Sequence, residues 1–521
     1  MDPQSFEKRR RAIVFLSTAA AVAAVGGIVS CESPQGMKPA PGSRRDGRSP
    51  TDDGGPDAGE RPANDATKPN DATKPSDAAK PAQPKPQPVE RPTPPKSEPA
   101  IRIKSGGLPK DAPRIEIKGP GPDVWIVEPG AGRPGTVASG PVEFRWSADG
   151  WKVTERVGTS AAAVVSVPAR ATLEISALGG EPQQLTAFGS TLSGQSLSGQ
   201  SLSGQSLTGR TLPGQTWPGR IRLVPQPNDV NEPVDVVHVV SMEEYLPGVI
   251  AKELFNKWGV ATHRAQAIAA RSWALCEMEM WRTRRHFDAV AGELGQAWIG
   301  ATAHQRSLDA VAATRGQVLV YASRVVPAYY SSCCGGARAA ARDAISTSVV
   351  NDIAPLSVSG SDGRDCCSWS PTYRWQLKFD AATIAATLPA WARAEGFASL
   401  FKVDGIRRVE IAERNKAGRP VLFTITDAKG GVFGVPAERL RWALNADPRD
   451  PQNLRPSKER VKSAFFEPFL AGRELVISGR GHGHGVGMCQ YGAEAMSKKG
   501  SSMQAILARY YPGAAVERSY A

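Results

Sequence analysis

The 521-residue chain is 40% hydrophobic and 22% charged, and it is long enough for two or three ordinary domains. Its formal net charge of +13 at pH 7 indicates an acidic partner. The sequence has no basic-aromatic nucleic-acid motif and begins like an exported protein, so we exclude nucleic acid. An anionic cell-wall polymer or a membrane surface is the expected partner.

The first 31 residues have the pattern of a bacterial export signal. Residues 8–11 are all basic, and residues 12–28 form an apolar stretch that is short for a membrane-spanning helix. The sequence "IVSC" fits a lipobox, in which Cys31 is lipidated after cleavage. We predict a lipoprotein signal peptide at 1–31 and an extracytoplasmic protein held on the cell envelope by a lipid anchor. An uncleaved signal anchor is the alternative.

Two segments have low sequence complexity. Residues 32–112 are rich in Pro, Lys, Asp and Ala and have few large apolar residues, which predicts a long disordered N-terminal tether. Residues 190–219 repeat every five residues around a leucine. A pentapeptide solenoid would need packing side chains where this repeat has Gly and Ser, so an expanded surface loop is favoured.

The remaining sequence predicts an α+β fold. Short alternating runs such as "RIEIKG" and "VDVVHVVSM" indicate a β-rich accessory region over 113–234. A helix pair follows, and it begins at "SMEEYLPGVIAKELF", where Ser241 is a plausible N-cap with Glu244 three residues later. A second helix is predicted over 261–284. A mixed α/β stretch at 373–470, a glycine segment and one final helix complete the chain.

The glycine segment, "GRGHGHGVGMCQYG" at 479–492, has a glycine at every second position for nine residues. Each glycine costs about 0.5–1 kcal/mol relative to alanine in a regular element. We predict that the glycines let a ligand lie against the backbone, with His482 and His484 directed into the same site. A flexible loop with incidental histidines is the alternative.

Several motifs occur in one order over 235–515, namely "EEYLPGVIAKEL", "HRAQAIAARSWAL", "SSCCGG", "SPTYRW", "VKSAFF" and the glycine segment with the helix after it. Together they resemble the SpoIID/LytB family, the stage II sporulation protein D and amidase-enhancer group. The resemblance implies a catalytic domain at 235–515 that acts on peptidoglycan. It also implies lytic transglycosylase activity, the cleavage of glycan strands stripped of peptides.

The resemblance assigns the acid of this reaction to Glu253, which matches the catalytic glutamate of the family. Glycosidic cleavage needs a carboxylic acid to protonate the leaving oxygen. An apolar wall from Phe255 and Trp258 would raise the pKa of Glu253 toward the working range. The alternative is a solvated glutamate paired with Lys257 at i+4.

The resemblance also implies a set of substrate-binding residues. Gln266 and Arg271 belong to the family pattern on the second helix, and Arg264 stands where relatives often have lysine. His484 falls on the family histidine, and Gln490 lies six residues later in the same segment. At the position of His482, relatives often have an aromatic residue. A zinc site at His482 and His484 is a further alternative, but no third ligand is evident nearby.

Two adjacent cysteine pairs resemble a structural zinc site of some family members. Four thiolates, from Cys333, Cys334, Cys366 and Cys367, could close a tetrahedral zinc site. Two parallel disulfides between the pairs, or free thiols, are the alternatives in an exported protein. Cys276 is expected to be a buried thiol.

The sequence therefore predicts an exported enzyme that cleaves peptidoglycan glycan strands and needs no cofactor for catalysis. A structural zinc at the cysteine pairs is one of the alternatives given above. A non-catalytic peptidoglycan-binding module that activates a separate cell-wall amidase is the alternative.

Overall fold

A computed structural model describes residues 90–521, apart from 112, 119–122, 128–134, 158–159, 178–182, 189–215, 230–231, 293–294, 359, 361–365 and 452. The predicted signal peptide with Cys31, most of the tether and most of the repeat loop lie outside these residues. None of the helices in the described part is both long and apolar enough to cross a membrane.

The helices and strands of the described residues together confirm the α+β class. The α-helices are α1 (Met242–Glu253), α2 (Val260–Trp281), α3 (Gln305–Ala313), α4 (Ala341–Ala344), α5 (Ala381–Glu395), α6 (Ala437–Asn445), α7 (Gln490–Lys498) and α8 (Met503–Tyr510). The strands are β1 (Ala100–Leu108), β2 (Arg114–Lys118), β3 (Asp123–Val127), β4 (Thr136–Ser139), β5 (Val142–Ser147), β6 (Gly150–Val157), β7 (Ser160–Val167), β8 (Leu173–Ala177), β9 (Gln183–Phe188), β10 (Thr216–Trp217), β11 (Arg220–Pro225), β12 (Val234–Ser241), β13 (Ala289–Val290), β14 (Gln317–Tyr321), β15 (Arg324–Val325), β16 (Tyr330–Ser331), β17 (Arg374–Asp380), β18 (Arg408–Arg414), β19 (Pro420–Thr426), β20 (Val432–Pro436), β21 (Phe466–Ala471), β22 (Glu474–Arg480), β23 (Met488–Cys489) and β24 (Ala515–Arg518).

Two larger sheets organise the first half of the described chain. One has the strand order β13-β1-β12-β11-β8-β3-β4, and the other has the order β10-β9-β2-β5-β6-β7. In β8 and β11 buried and less buried residues alternate, as expected for strands with one face on a core. β12 is buried at seven successive positions, from Val234 to Val240, because it lies in the middle of its sheet with helices nearby.

The end of the predicted tether is part of the fold, which corrects the boundary at residue 112. β1 pairs antiparallel with β12 from Ala100 opposite Ser241 to Leu108 opposite Val234. Ile101, Ile103 and Leu108 are fully buried. The prediction failed because this short alternating run directly follows a proline-rich stretch, so the composition of the longer segment concealed it.

The region 113–234 is joined to the helix pair through one sheet and one hydrophobic core. β11 pairs with β12, and β12 leads directly into α1. Buried residues of the β-rich region and of both helices belong to the same cluster. The predicted end of the domain at 515 also moves, because β24 pairs with β14 and the Tyr520 side chain is buried.

The helix pair begins and turns where local chemistry requires. The Ser241 hydroxyl caps α1 by accepting from the Glu244 N–H at 3.4 Å, as the sequence predicts. α1 ends at Glu253 because Leu254 is extended. At the start of α2, the buried Glu494 carboxylate accepts from the Gly259 N–H and the Thr262 hydroxyl, both at 2.8 Å. A negative charge at a helix N-terminus is stabilising.

Residues between about 379 and 477 form a second hydrophobic core. It is built from two three-stranded sheets, β17-β22-β21 and β18-β19-β20, with α5 and α6. Asp380 caps α5 by accepting from the Thr383 N–H at 2.7 Å, and Gly396 ends the helix in the left-handed conformation. This is the mixed α/β stretch that the sequence predicts.

The predicted single C-terminal helix is two helices, α7 and α8. The chain between them, residues 499–502, contains Gly500 with a φ of 84°, which a helix cannot include. Ser502 then caps α8 by accepting from the Ala505 N–H at 3.2 Å.

Candidate active site

Glu253 is the last residue of α1 and is half-buried. Its position matters because the C-terminus of a helix carries a partial negative charge, which disfavours a carboxylate and favours a carboxylic acid. Burial raises the pKa of the Glu253 carboxyl group, against the opposing hydrogen bonds from Gln490 and the Ala297 backbone. The site therefore holds a carboxyl group that keeps its proton at higher pH than an ordinary glutamate.

Gln490, the first residue of α7, holds this carboxyl group from 237 residues further along the chain. Its side-chain amide donates to Glu253 Oε2 at 3.0 Å. Lys257, the partner in the alternative interpretation, is exposed. The structure thus brings together Glu253 and Gln490, two residues that the family resemblance selects.

Gln266 joins this pair from α2. Its Oε1 accepts from the Gln490 amide at 3.5 Å, and its own side-chain nitrogen has no hydrogen-bond partner among the described residues. That nitrogen is buried, so it is an unsatisfied donor inside the protein next to the Glu253 carboxyl group. Arg264 is exposed and lies two residues earlier, which places it about 200° around the helix from Gln266. The structure does not bring Arg264 to Glu253.

Arg271, predicted to bind substrate, is instead fully buried in a structural ion pair. Its guanidinium donates to both carboxylate oxygens of Glu243, at 2.8 and 2.7 Å, and to the Gln317 carbonyl oxygen at 3.0 Å. The Tyr520 hydroxyl also donates to Glu243, at 2.6 Å. Burial alone would raise the pKa of Glu243, but Arg271 holds it below its ordinary value. Arg271 therefore ties α1 to α2 and does not face a substrate cleft.

The glycine segment packs against protein, which corrects the prediction that its glycines make room for a ligand. Gly481, Gly483, Gly485 and Gly487 all have positive φ. A Cβ atom on Gly487 would lie 2.0 Å from the Tyr329 carbonyl oxygen, and one on Gly485 would lie 2.8 Å from the Arg419 guanidinium. The glycines therefore let the segment approach the chain around Tyr329 and the buried Arg419 side chain.

This close approach predicts an effect of Gly487→Ala on stability. Gly472 provides a matched control, because its φ of 60° is close to the 66° of Gly487 but nothing lies within 4 Å of an added Cβ. Gly472→Ala should cost about 1 kcal/mol for the left-handed backbone alone. Gly487→Ala should cost about 1–3 kcal/mol more, from overpacking. Urea unfolding of both variants measures the difference, and equal costs would contradict the close-packing explanation.

The His484 side chain forms a hydrogen bond with the backbone of its own segment. Its Nδ1 accepts from the Val486 N–H at 3.0 Å, and its own carbonyl oxygen accepts from Arg419 at 3.3 Å. Burial lowers the pKa of His484 to about 3, so the imidazole is neutral. His482 is exposed and forms a two-way backbone pairing with Cys333. Neither histidine belongs to the group of clustered metal-ligand atoms found in the described part of the chain.

That group consists of three buried cysteines, and its membership corrects the predicted set. The ligand atoms of Cys334, Cys367 and Cys489 lie within 4.8 Å of one another. Cys333 lies next to this group, with its sulfur 3.9 Å from the Cys367 carbonyl oxygen, and hydrogen bonds with the Cys367 and Cys489 thiols lower its pKa to about 4. Cys366 turns away, with its sulfur 4.0 Å from the Arg509 guanidinium. We call Cys333, Cys334, Cys367 and Cys489 the cysteine cluster.

The cysteine cluster fits a tetrahedral zinc ion. The Cys334 and Cys367 sulfurs are 3.6 Å apart. Two thiolates bound to one zinc at about 2.3 Å lie about 3.8 Å apart, whereas a disulfide bond measures about 2.05 Å. Zinc held here would be structural, with four thiolates and no open position for substrate. Cys276 is buried elsewhere, as predicted, and its thiol donates to the Val325 carbonyl oxygen at 3.6 Å.

Three contributors to the site escaped the sequence analysis. The Ala297 backbone hydrogen-bonds Glu253, Glu494 fixes the start of α2, and Cys489 completes the cysteine cluster. Only Cys489 left a signal, as the unassigned seventh cysteine next to Gln490. A backbone donor and a single glutamate on the buried face of a short helix have no pattern that distinguishes them in one sequence.

Comparison with known proteins relates the region around Glu253 to one family. Residues 230–321, which include Glu253 and Gln266, match the family model for SpoIID, stage II sporulation protein. Stage II sporulation protein D of Bacillus subtilis is 26% identical over 305 residues, covering 54% of this chain and 76% of that protein. An uncharacterized protein of Brachyspira hyodysenteriae is 26% identical over 284 residues, covering 54% of this chain and 68% of that protein.

The amidase enhancer of Bacillus subtilis is also similar, with 26% identity over 303 residues. The alignment covers 51% of this chain but only 39% of the amidase enhancer. The match of residues 230–321 to the SpoIID model and the similarity of about half of the chain to these relatives agree with the motifs that resemble the SpoIID/LytB family.

Proposed function

We propose that this protein is a peptidoglycan lytic transglycosylase that cleaves glycan strands and leaves a 1,6-anhydro product. The observation that carries the proposal is the half-buried Glu253 carboxyl group, whose pKa is raised by burial and which the Gln490 amide orients at 3.0 Å. A general acid needs a pKa near the working pH and a fixed direction. The names of the family relatives support a role at the cell wall.

One carboxyl group is sufficient for this reaction. The Glu253 acid donates its proton to the glycosidic oxygen as the bond from that oxygen to C1 of the muramic acid breaks. The C6 hydroxyl oxygen of the same sugar then bonds to C1, and its proton passes to the Glu253 carboxylate, which restores the acid. Gln490 would keep the carboxyl group aimed through both steps, and the buried Gln266, which accepts from the Gln490 amide, would hold Gln490 in place.

A second candidate function is non-catalytic binding of peptidoglycan with activation of a cell-wall amidase. Its support is the similarity to the Bacillus subtilis protein named amidase enhancer, of which the alignment covers 39%. Under this function the site around Glu253 would bind a glycan strand without cleaving it.

One experiment separates the two functions. The purified chain is incubated with glycan strands freed of peptides, and the products are identified by mass spectrometry. Short strands with 1,6-anhydro ends are expected. Unchanged strands, together with faster hydrolysis by an added cell-wall amidase, would replace the transglycosylase by the enhancer function. Any truncated form must retain β1, because that strand lies in the central sheet.

A further inference from the structure

A group of four aromatic side chains borders the candidate active site. Trp258 is at its centre, with its ring centroid 5.3 Å from Phe255, 5.9 Å from Trp369 and 5.0 Å from Tyr491. Trp369 and Tyr491 also contact each other, with centroids 4.6 Å apart. The group links three distant parts of the sequence. Trp258 and Tyr491 are buried, and Phe255 and Trp369 are its exposed members.

Two members of this aromatic group are close in sequence to Glu253 or to its hydrogen-bond partner Gln490. Phe255 follows the acid by two residues, and Tyr491 follows Gln490, whose amide donates to the Glu253 carboxylate. A ligand whose reacting bond lies at Glu253 could therefore extend toward the exposed rings of Phe255 and Trp369.

Phe255 and Trp369 are the members of this group that a ligand could contact, because they are 55% and 43% exposed. Of the two, Trp369 has a polar ring atom that can fix its orientation. Its indole N–H already donates to the Tyr491 carbonyl oxygen at 3.2 Å, which fixes the ring. An oriented, exposed ring whose polar atom is satisfied presents an apolar face, and such a face suits a flat apolar surface such as the C–H face of a sugar ring.

A positive charge accompanies the Trp369 ring. The Lys498 ammonium lies 4.2 Å from the ring centroid, and its side chain is 60% exposed. Its nearest carboxylate, Glu494 at 4.0 Å, is buried and already accepts two hydrogen bonds at the start of α2. The Lys498 ammonium therefore lies over one face of the Trp369 ring and is open to solvent, so a ligand would stack on the other face.

We propose that Trp369 and Lys498 form a glycan subsite for a muramic acid residue of the strand, a proposal that rests on the proposed function. The Trp369 face would stack on the sugar ring, and Lys498 would pair with the lactyl carboxylate that peptide removal leaves as a free anion. The combination of an aromatic face with a cation favours an acidic sugar over a neutral one and over an apolar protein surface.

The test measures binding in the full chain carrying Glu253→Gln, so that cleavage does not consume the ligand. Two probes are compared by isothermal titration calorimetry, peptide-free glycan strands with muramic acid and chitin oligosaccharides, which lack the carboxylate. Trp369→Ala should weaken binding of both probes about five- to tenfold. Lys498→Gln should weaken binding of the muramic acid probe alone, about two- to fivefold. Phe469→Ala removes a 67% exposed aromatic residue on β21 and should change neither.

The outcomes separate this subsite from the proposed function. Trp369→Tyr retains an aromatic face and should keep most of the affinity, whereas a folding defect would appear in circular dichroism of Trp369→Ala. Unchanged binding of both probes by Trp369→Ala would overturn the subsite and leave the proposed function standing. Failure of the parent protein to bind either probe would overturn both. Weakened association of Trp369→Ala with a purified cell-wall amidase alone would make this face a protein-docking surface and would also overturn the subsite.

Discussion

Glu253→Gln is expected to lower the rate of glycan cleavage by at least about a hundredfold, the usual scale of general acid catalysis. Glutamine has the same shape and can still accept the hydrogen bond from the Gln490 amide, but it cannot donate a proton to the glycosidic oxygen. Glycan binding should therefore persist. Release of reducing ends and of 1,6-anhydro products measures the rate, and a binding titration measures the affinity.

The same substitution should also change stability, in a direction that the pKa of Glu253 fixes. Because burial raises this pKa, the folded protein binds the proton more tightly than the unfolded chain does. Stability from this group is fully present below the unfolded pKa and is lost as pH rises through the raised folded pKa. Glu253→Gln removes the penalty of a buried charge, so its melting temperature should exceed that of the wild type by a margin that grows as the pH rises above the ordinary glutamate pKa of about 4.

Glu410→Gln serves as the control for both measurements. Glu410 is 51% exposed on β18, a strand whose other face packs on the second core. Its substitution should therefore leave cleavage and the pH dependence of melting unchanged. Cleavage by Glu253→Gln at the wild-type rate would end the assignment of Glu253 as the acid. A melting temperature that falls equally at all pH values would show instead that the residue is held for packing.

Local sequence signals predicted the elements around the acid well. The Ser241 cap, the β-rich region and the second helix all follow from alternation, capping and a 3.6-residue period, which depend on neighbouring residues only. β1 was missed because the composition of the proline-rich segment concealed its short alternating run. The break between α7 and α8 was missed because the sequence there has a continuous helical pattern. The sharing of one core by residues 101 and 511 depends on contacts across the whole chain, and one sequence does not encode these in any local pattern.

The candidate site divides in the same way. The family motifs selected Glu253, Gln266 and Gln490, and these three side chains form one hydrogen-bonded chain in the structure. The same motifs selected Arg271, which is buried in an ion pair with Glu243. A motif does not distinguish a residue with a structural role from a residue with a chemical role. The glycines posed a related problem, since a close approach of two protein segments and a close approach of a ligand both require glycine.

If the cysteine cluster holds zinc, removal of the zinc is expected to destabilise the protein more than any substitution above. Structural zinc sites bind with apparent free energies of about 10–16 kcal/mol, which contribute directly to folding. If the cluster holds zinc, elemental analysis of the purified protein should find about one zinc ion per chain. A strong chelator should then lower the melting temperature markedly, whereas a reductant that does not bind metal should have little effect. If disulfides form instead, the reductant should lower the melting temperature and the chelator should not.

A matched pair of serine substitutions tests which sulfurs bind the metal. Cys489 lies in the group of three converging sulfurs, whereas the Cys366 sulfur faces Arg509, although both cysteines line the same small cavity. Cys489→Ser should therefore lose most of the zinc and melt at a lower temperature, while Cys366→Ser should keep both near the wild-type values. The opposite result would restore the ligand set predicted from the sequence, with Cys366 in place of Cys489. Absence of zinc from the wild type, with no free thiols in the cysteine cluster, would reject the metal site.

Because Cys489 immediately precedes Gln490, loss of the metal should also disturb the amide that orients Glu253. Cleavage by Cys489→Ser should therefore fall further than its remaining folded fraction explains.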